Sequence, residues 1–148
     1  MVKKENKGER EEMTEKHRFK RRVYYNNTDA GGILYHGDYL KFCEQARSEL
    51  FFQKGVTFRN GGYVIKRLIA NYLGSARLGD EVEIETEIVK IGHSFIQFEQ
   101  KMFLKNRKIF QLNATAVYLE KGKISKIPPL HLAILGVKKG EKDDPDSR

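Results

Sequence analysis

Residues 24–51 read YYNNTDAGGILYHGDYLKFCEQARSELF. The first part is rich in turn formers, and Gly31-Gly32 permits backbone angles that other residues resist. From Asp38 the pattern becomes helical: Leu40, Cys43, Ala46 and Leu50 recur every three or four residues, joined by Tyr39, Phe42, Phe51 and Phe52. Gly55 stands where a helix C-cap commonly falls, and Asp38 where an N-cap does. Apolar positions cover more than half of the helix circumference, so burial on several sides is expected.

Strands flank this helix. HRFKRRVYY (17–25) alternates and ends in β-branched and aromatic residues. After the helix come YVIKRLIANYL (63–73) and DEVEIETEIVKI (80–91). In the second, Val82, Ile84, Thr86 and Ile88 face one way and Glu81, Glu83, Glu85 and Glu87 the other, the mark of a half-buried antiparallel strand. SFIQFEQKMFL (94–104) and KIFQLNATAVYLE (108–120) flank a hairpin connection at Lys105-Asn106-Arg107. A short strand is expected at Ile124 and a short helix at LHLAILG (130–136). The order predicts an α+β fold in which one antiparallel sheet wraps a long helix. Such a sheet leaves edges and an outer face, which pairing with a second copy would cover.

The 148 residues suit one domain, and 39% hydrophobic content is ample for a core. The net charge of +8 belongs to residues 17–137, because five basic and five acidic residues cancel in 1–16 and four of each cancel in 138–148. The expected organisation is a charged, disordered leader (1–16), a single domain (17–137) and a charged tail (138–148). A basic body favours an anionic partner: nucleic acid, acidic protein or phosphorylated ligand. Neither a membrane span nor a secretory signal is expected, and the single Cys43 suits a reducing, cytoplasmic setting.

A helix N-terminus can polarise a carbonyl, and His36, Gly37 and Asp38 lie there. Asp29 stands seven residues upstream of His36, across a Gly-Gly turn able to fold it back. The residues alone leave two readings open. Asp29 is either a turn residue bonded to local amides or the carboxylate of an acyl-transfer site.

The same stretch closely resembles the signature of hotdog-fold acyl-CoA thioesterases. The nearer likeness is to the bacterial branch encoded beside the Tol-Pal envelope genes, with 4-hydroxybenzoyl-CoA thioesterases more distant. The signature residues stand here as Tyr25, Asp29, Gly32, His36 and Glu44-Gln45-Ala46-Arg47, and ARLGDEVEIET (76–86) resembles the family's later Gly-Asp segment. The likeness covers about residues 18–130. It implies a hotdog fold, paired into dimers and tetramers, that hydrolyses acyl thioesters without a metal or separate cofactor, coenzyme A being part of the substrate. By position, it makes Asp29 the nucleophile or general base, which works best partly buried. His36 would assist it and Tyr25 would shape the site. The amides of His36 and Gly37 would polarise the carbonyl.

Tyr39, Phe42 and Val64 become acyl-pocket candidates, and Arg77, Lys105, Arg107, Lys121, Lys123 and Lys126 candidates for the coenzyme A phosphates. An acidic acyl carrier protein is the other carrier that would suit a basic face. The family often has an acid at Asn26 or Asn27 and an Asn near Asp38, departures expected to tune the pocket. Two rival readings are a hotdog dehydratase or hydratase, disfavoured by the Asp-x6-His spacing, and a non-catalytic module binding an acyl carrier or nucleic acid, for the latter of which no RNP-type motif is found. Acyl length cannot be read from the chain.

Overall fold

The computed structural model describes residues 16–136, so the expected C-terminal tail and all of the leader except Lys16 lie outside the described residues. Strand β1 (His17–Arg22) is followed by a short 3-10 turn (Tyr25–Asn27) and helix α1 (His36–Phe52). Then come β2 (Gly61–Tyr72), β3 (Glu81–Ile91), β4 (Phe95–Leu104), β5 (Arg107–Glu120), β6 (Lys123–Ile124) and a terminal helix α2 (Pro129–Ile134). The sheet runs β1-β3-β4-β5-β2, every neighbouring pair antiparallel, with β6 added to β5.

The alternation in β3 is realised as written: Val82, Ile84, Thr86 and Ile88 are buried while the glutamates face outward. They pack with Ile96, Phe98, Met102, Phe110 and Leu112 beneath Tyr39, Phe42, Cys43 and Ala46 of α1. Fully burying a side chain such as Phe42 or Ile84 contributes about 1.5–3 kcal/mol. One polar group sits among them with its bonds satisfied. Gln100 donates to the Cys43 carbonyl and Thr86 Oγ1, both at 2.9 Å, and accepts from Arg47 Nη1 at 2.8 Å. The hairpin between β4 and β5 turns on Lys105 and Asn106, both at positive φ, so Arg107 already belongs to the strand.

The helix differs from expectation in three respects. It begins at His36, and Asp38 is not its cap: Tyr35 holds that position without a side-chain bond, while Asp38 sits inside the first turn with its carboxylate engaged elsewhere. It ends at Phe52, three residues before Gly55, whose positive φ instead closes the following turn through Gly55 N–H to Phe52 O. It is buried along one face only: Lys41, Glu44 and Phe52 are exposed. The open side lies towards the edge strand β2, where Val64, Ile65, Leu68, Ile69 and Tyr72 are exposed despite being apolar or aromatic. No helix among the described residues is long and apolar enough to cross a membrane.

Candidate active site

The chain between β1 and α1 forms a miniature hairpin. Tyr35 N–H donates to Asn27 O at 2.8 Å, Thr28 bridges Leu34, and Asp29 N–H donates to Ile33 O at 2.9 Å. Gly32, at φ +77°, supplies the left-handed position the tip needs, and its N–H returns to Asp29 O at 3.0 Å. Asp29 Oδ1 accepts from the amides of Gly31 (2.9 Å) and Ile33 (3.2 Å). The turn reading is therefore correct for one oxygen. Oδ2 accepts no hydrogen bond among the described residues, and the residue is exposed instead of partly buried, because it stands near the tip of a turn.

The hairpin is latched to the helix by two buried side chains. Asn27 Nδ2 donates to Asp38 Oδ2 at 2.9 Å, while Asn27 Oδ1 accepts from Tyr24 N–H at 2.9 Å. One of the two asparagines expected to depart from the family pattern, Asn27, thus hydrogen-bonds Asp38 directly. Leu34 N–H donates to Ala76 O and Leu78 N–H to Gly32 O, tying the turn to the segment after β2.

His36 opens α1 with an exposed ring 4.3 Å from that of Tyr35. Its amide and that of Gly37 have no backbone acceptor, as the first turn of a helix dictates. A side chain at Gly37 would meet the Tyr35 ring at 3.0 Å, so glycine lets that ring lie close over the first turn. Tyr25 is 82% exposed and points into solvent from the 3-10 turn. Asp29, His36 and Tyr25 are therefore all exposed, and no hydrogen bond joins them. Burial removes Cys43 from consideration as a nucleophile, since it pushes the thiol up to about 12.

The acyl-pocket candidates do not converge. Tyr39 and Phe42 are buried on α1, with Tyr39 donating to Gly74 O at 3.0 Å and Arg21 lying 4.3 Å over the Phe42 ring. Val64 follows Tyr63, which stacks on Phe51 of α1, so strand alternation turns Val64 to the opposite face of the sheet. A helix-side cavity of about 290 Å³ does exist, bounded by Arg47, Phe51, Phe58, Tyr63, Ile65 and Phe98.

The phosphate candidates divide into two groups. Arg77, Lys105 and Arg107 cluster at the Asp29 end, and Lys121, Lys123 and Lys126 at the other, with the length of β5 (about 43 Å) between them. Lys126 shares an outer-face groove of about 730 Å³ with Lys66, Arg67 and Lys90; Val64, Phe95 and Val117 line its apolar part, and no acid among the described residues lines it. Sequence reasoning missed Lys66 and Arg67. The irregularity between Ile65 and Arg67 breaks the alternation that would have assigned them a face. No group of three or more His, Cys, Asp or Glu among the described residues could hold a metal.

An antiparallel sheet against one long helix, with a carboxylate turn at the helix start, defines a hotdog thioesterase architecture, and the chain belongs to the thioesterase superfamily, whose profile matches residues 31–110. Among curated relatives it is 42% identical over 84 residues to a Helicobacter pylori protein named acyl-CoA thioesterase YbgC, covering 55% of this chain and 63% of the relative. It thus spans a little under two thirds of that relative's length. A Haemophilus influenzae protein of the same name is 32% identical over 112 residues, covering 72% of this chain and 82% of the relative. The fold resembles a crystal structure from Aquifex aeolicus at TM-score 0.76 and 24% identity, covering 80% of this chain and 98% of that one. It also resembles a 1,4-dihydroxy-2-naphthoyl-CoA thioesterase from Synechocystis at TM-score 0.74 and 15% identity, with 81% and 96% covered.

Proposed function

We propose that the protein hydrolyses acyl-coenzyme A thioesters to a free acid and coenzyme A. The observation that carries this reading is the Asp29 carboxylate. One oxygen is fixed by two turn amides, and the other is left unbonded, in the hairpin whose second strand runs directly into a helix N-terminus. The free oxygen either draws a proton from a water that attacks the acyl carbon, or attacks that carbon itself to give an anhydride which water then opens. In both courses the C–S bond breaks, the acyl carbon gains a water oxygen, and the thiolate takes up a proton. The amides of His36 and Gly37 receive the negative charge that develops on the thioester oxygen. His36 assists proton movement and Tyr25 closes the solvent side.

The carrier half of the substrate suits the basic groove, where Lys66, Arg67 and Lys126 face phosphates and the apolar part takes the uncharged arm. The helix-side cavity suits the acyl group. Seven residues of β5, about 23 Å, separate Phe110 (beside the site) from Val117 (in the groove). This separation favours a homodimer paired along the β2 edges, in which one copy's groove approaches the other's Asp29. Association of dimers into a tetramer would cover the remaining faces. The names of the Helicobacter and Haemophilus relatives agree with an acyl-CoA substrate. An acyl carrier protein is the competing carrier, and the cytoplasm the expected setting.

A panel of acyl-CoAs of different lengths, followed by free-thiol detection, tests the proposal. Wild type releases thiol from at least one member, and Asp29→Asn lowers that rate at least about 100-fold, the usual scale for a positioned base. Thiol release from none of them refutes the activity. A full rate in Asp29→Asn refutes the site assignment alone.

A further inference from the structure

Tyr72, the last residue of β2, lies outside the signature stretch, yet its hydroxyl donates to the carbonyl oxygen of His36 at 2.8 Å. That carbonyl and the Gly37 N–H belong to the same peptide unit. A hydrogen bond accepted at a peptide oxygen polarises the whole unit and makes its N–H a stronger donor. It also fixes the plane of the peptide, and so the direction in which the Gly37 amide points.

The ring is itself well placed. It meets Tyr39 edge-on at 5.1 Å and Phe110, its cross-strand partner, at 4.8 Å. Tyr39 in turn donates to Gly74 O, so two tyrosines stitch the end of β2 to the first turns of α1. Burial pushes the Tyr72 phenol up from its ordinary value, so it stays protonated and able to donate at neutral pH. The half-exposed ring holds its hydroxyl on the very peptide that the thioester oxygen would approach.

We infer that Tyr72 is a positioning residue for thioester hydrolysis: by bonding the His36 carbonyl it aims and strengthens the Gly37 amide as the oxyanion donor. This rests on the acyl-CoA thioesterase reading above. Tyr72 touches no reacting atom. Its contribution grows as charge develops on the substrate oxygen, so it belongs to kcat and not to substrate affinity.

The test compares wild type, Tyr72→Phe and Tyr118→Phe, the last removing the hydroxyl of a buried β5 tyrosine that lines neither the groove nor the helix-side cavity and packs edge-on against His131 at 5.7 Å. On the best acyl-CoA of the panel, Tyr72→Phe is expected to lower kcat about 3- to 10-fold with KM within about twofold of wild type. Its Gly37 amide proton resonance moves upfield as the donor weakens. Tyr118→Phe leaves kcat and that resonance in place. An unchanged kcat in Tyr72→Phe, or an unmoved Gly37 resonance, overturns the inference while leaving the thioesterase intact. A rise in KM alone also overturns it. A wild type that releases thiol from no acyl-CoA overturns the underlying reading and this inference with it.

Discussion

Exchanging the two residues of the buried latch gives a quantitative test of how the catalytic turn is held. Asn27 and Asp38 are 4% and 7% exposed, and one hydrogen bond of 2.9 Å joins them. Asn27→Asp keeps the acceptor for Tyr24 N–H but points a second carboxylate oxygen at Asp38 Oδ2. The lost bond to a charged group is worth about 1.5–3 kcal/mol. Two unit charges at that distance repel by about 6 kcal/mol at an effective dielectric near 20, less whatever Lys41, 3.9 Å from Asp38, and proton uptake relieve. A net destabilisation of about 3–5 kcal/mol is expected. Asp38→Asn keeps an amide-to-amide bond and forfeits only the charge at the helix N-terminus, about 1 kcal/mol. The double variant restores a carboxylate–amide bond with donor and acceptor reversed, and should recover to within about 1–2 kcal/mol of wild type. Denaturant unfolding of all four proteins at one protomer concentration measures this directly. The coupling between the sites should be at least about 2 kcal/mol. If the double variant is merely as unstable as its two singles combined, the latch does not work as described.

Three further outcomes follow from particular contacts. Gly32→Ala meets no atom within 4 Å but must hold φ +77°, so it should cost about 1–2 kcal/mol in thermal unfolding and lower kcat by displacing Asp29. Gln100→Leu strands the half-buried Arg47 guanidinium and the buried Thr86 hydroxyl, an expected loss of about 2–4 kcal/mol; a loss below about 1 kcal/mol would mean that these groups find other partners. Burial holds the His131 imidazole below its ordinary value of 6.5, so near that pH the unfolded chain binds more protons than the folded one. Stability conferred by the neutral ring is complete above that value and is lost as pH falls through it. The difference in melting temperature between pH 7.5 and pH 5.5 (roughly one unit to either side) should be smaller in His131→Phe than in wild type.

The strand pattern was legible wherever burial enforces alternation, as in β3, where a one-residue error would expose Ile84 and bury a glutamate. The turn around Asp29 was legible because Gly31-Gly32 and the helix start are local properties of the chain. The latch was not: Asn27 and Asp38 are eleven residues apart, both polar, and no periodicity announces that they will be buried together. The misplacement of Val64 has a related cause. A strand's sequence gives alternation, but which face meets the helix is decided by contacts such as Tyr63 on Phe51. The phosphate candidates were chosen by charge and position near strand ends. Antiparallel connection sends successive ends to opposite sides of the sheet, so half of them had to lie far from Asp29.

The distance along β5 between the Asp29 turn and the basic groove has a consequence for hybrids. If each working site draws its carboxylate from one copy and its cationic groove from the other, a dimer mixing an Asp29→Asn protomer with a Lys66→Ala/Arg67→Ala protomer contains one site damaged twice and one wholly intact. Two inactive parents would then yield progeny with half of the wild-type sites, whereas a site confined to one chain gives no such recovery.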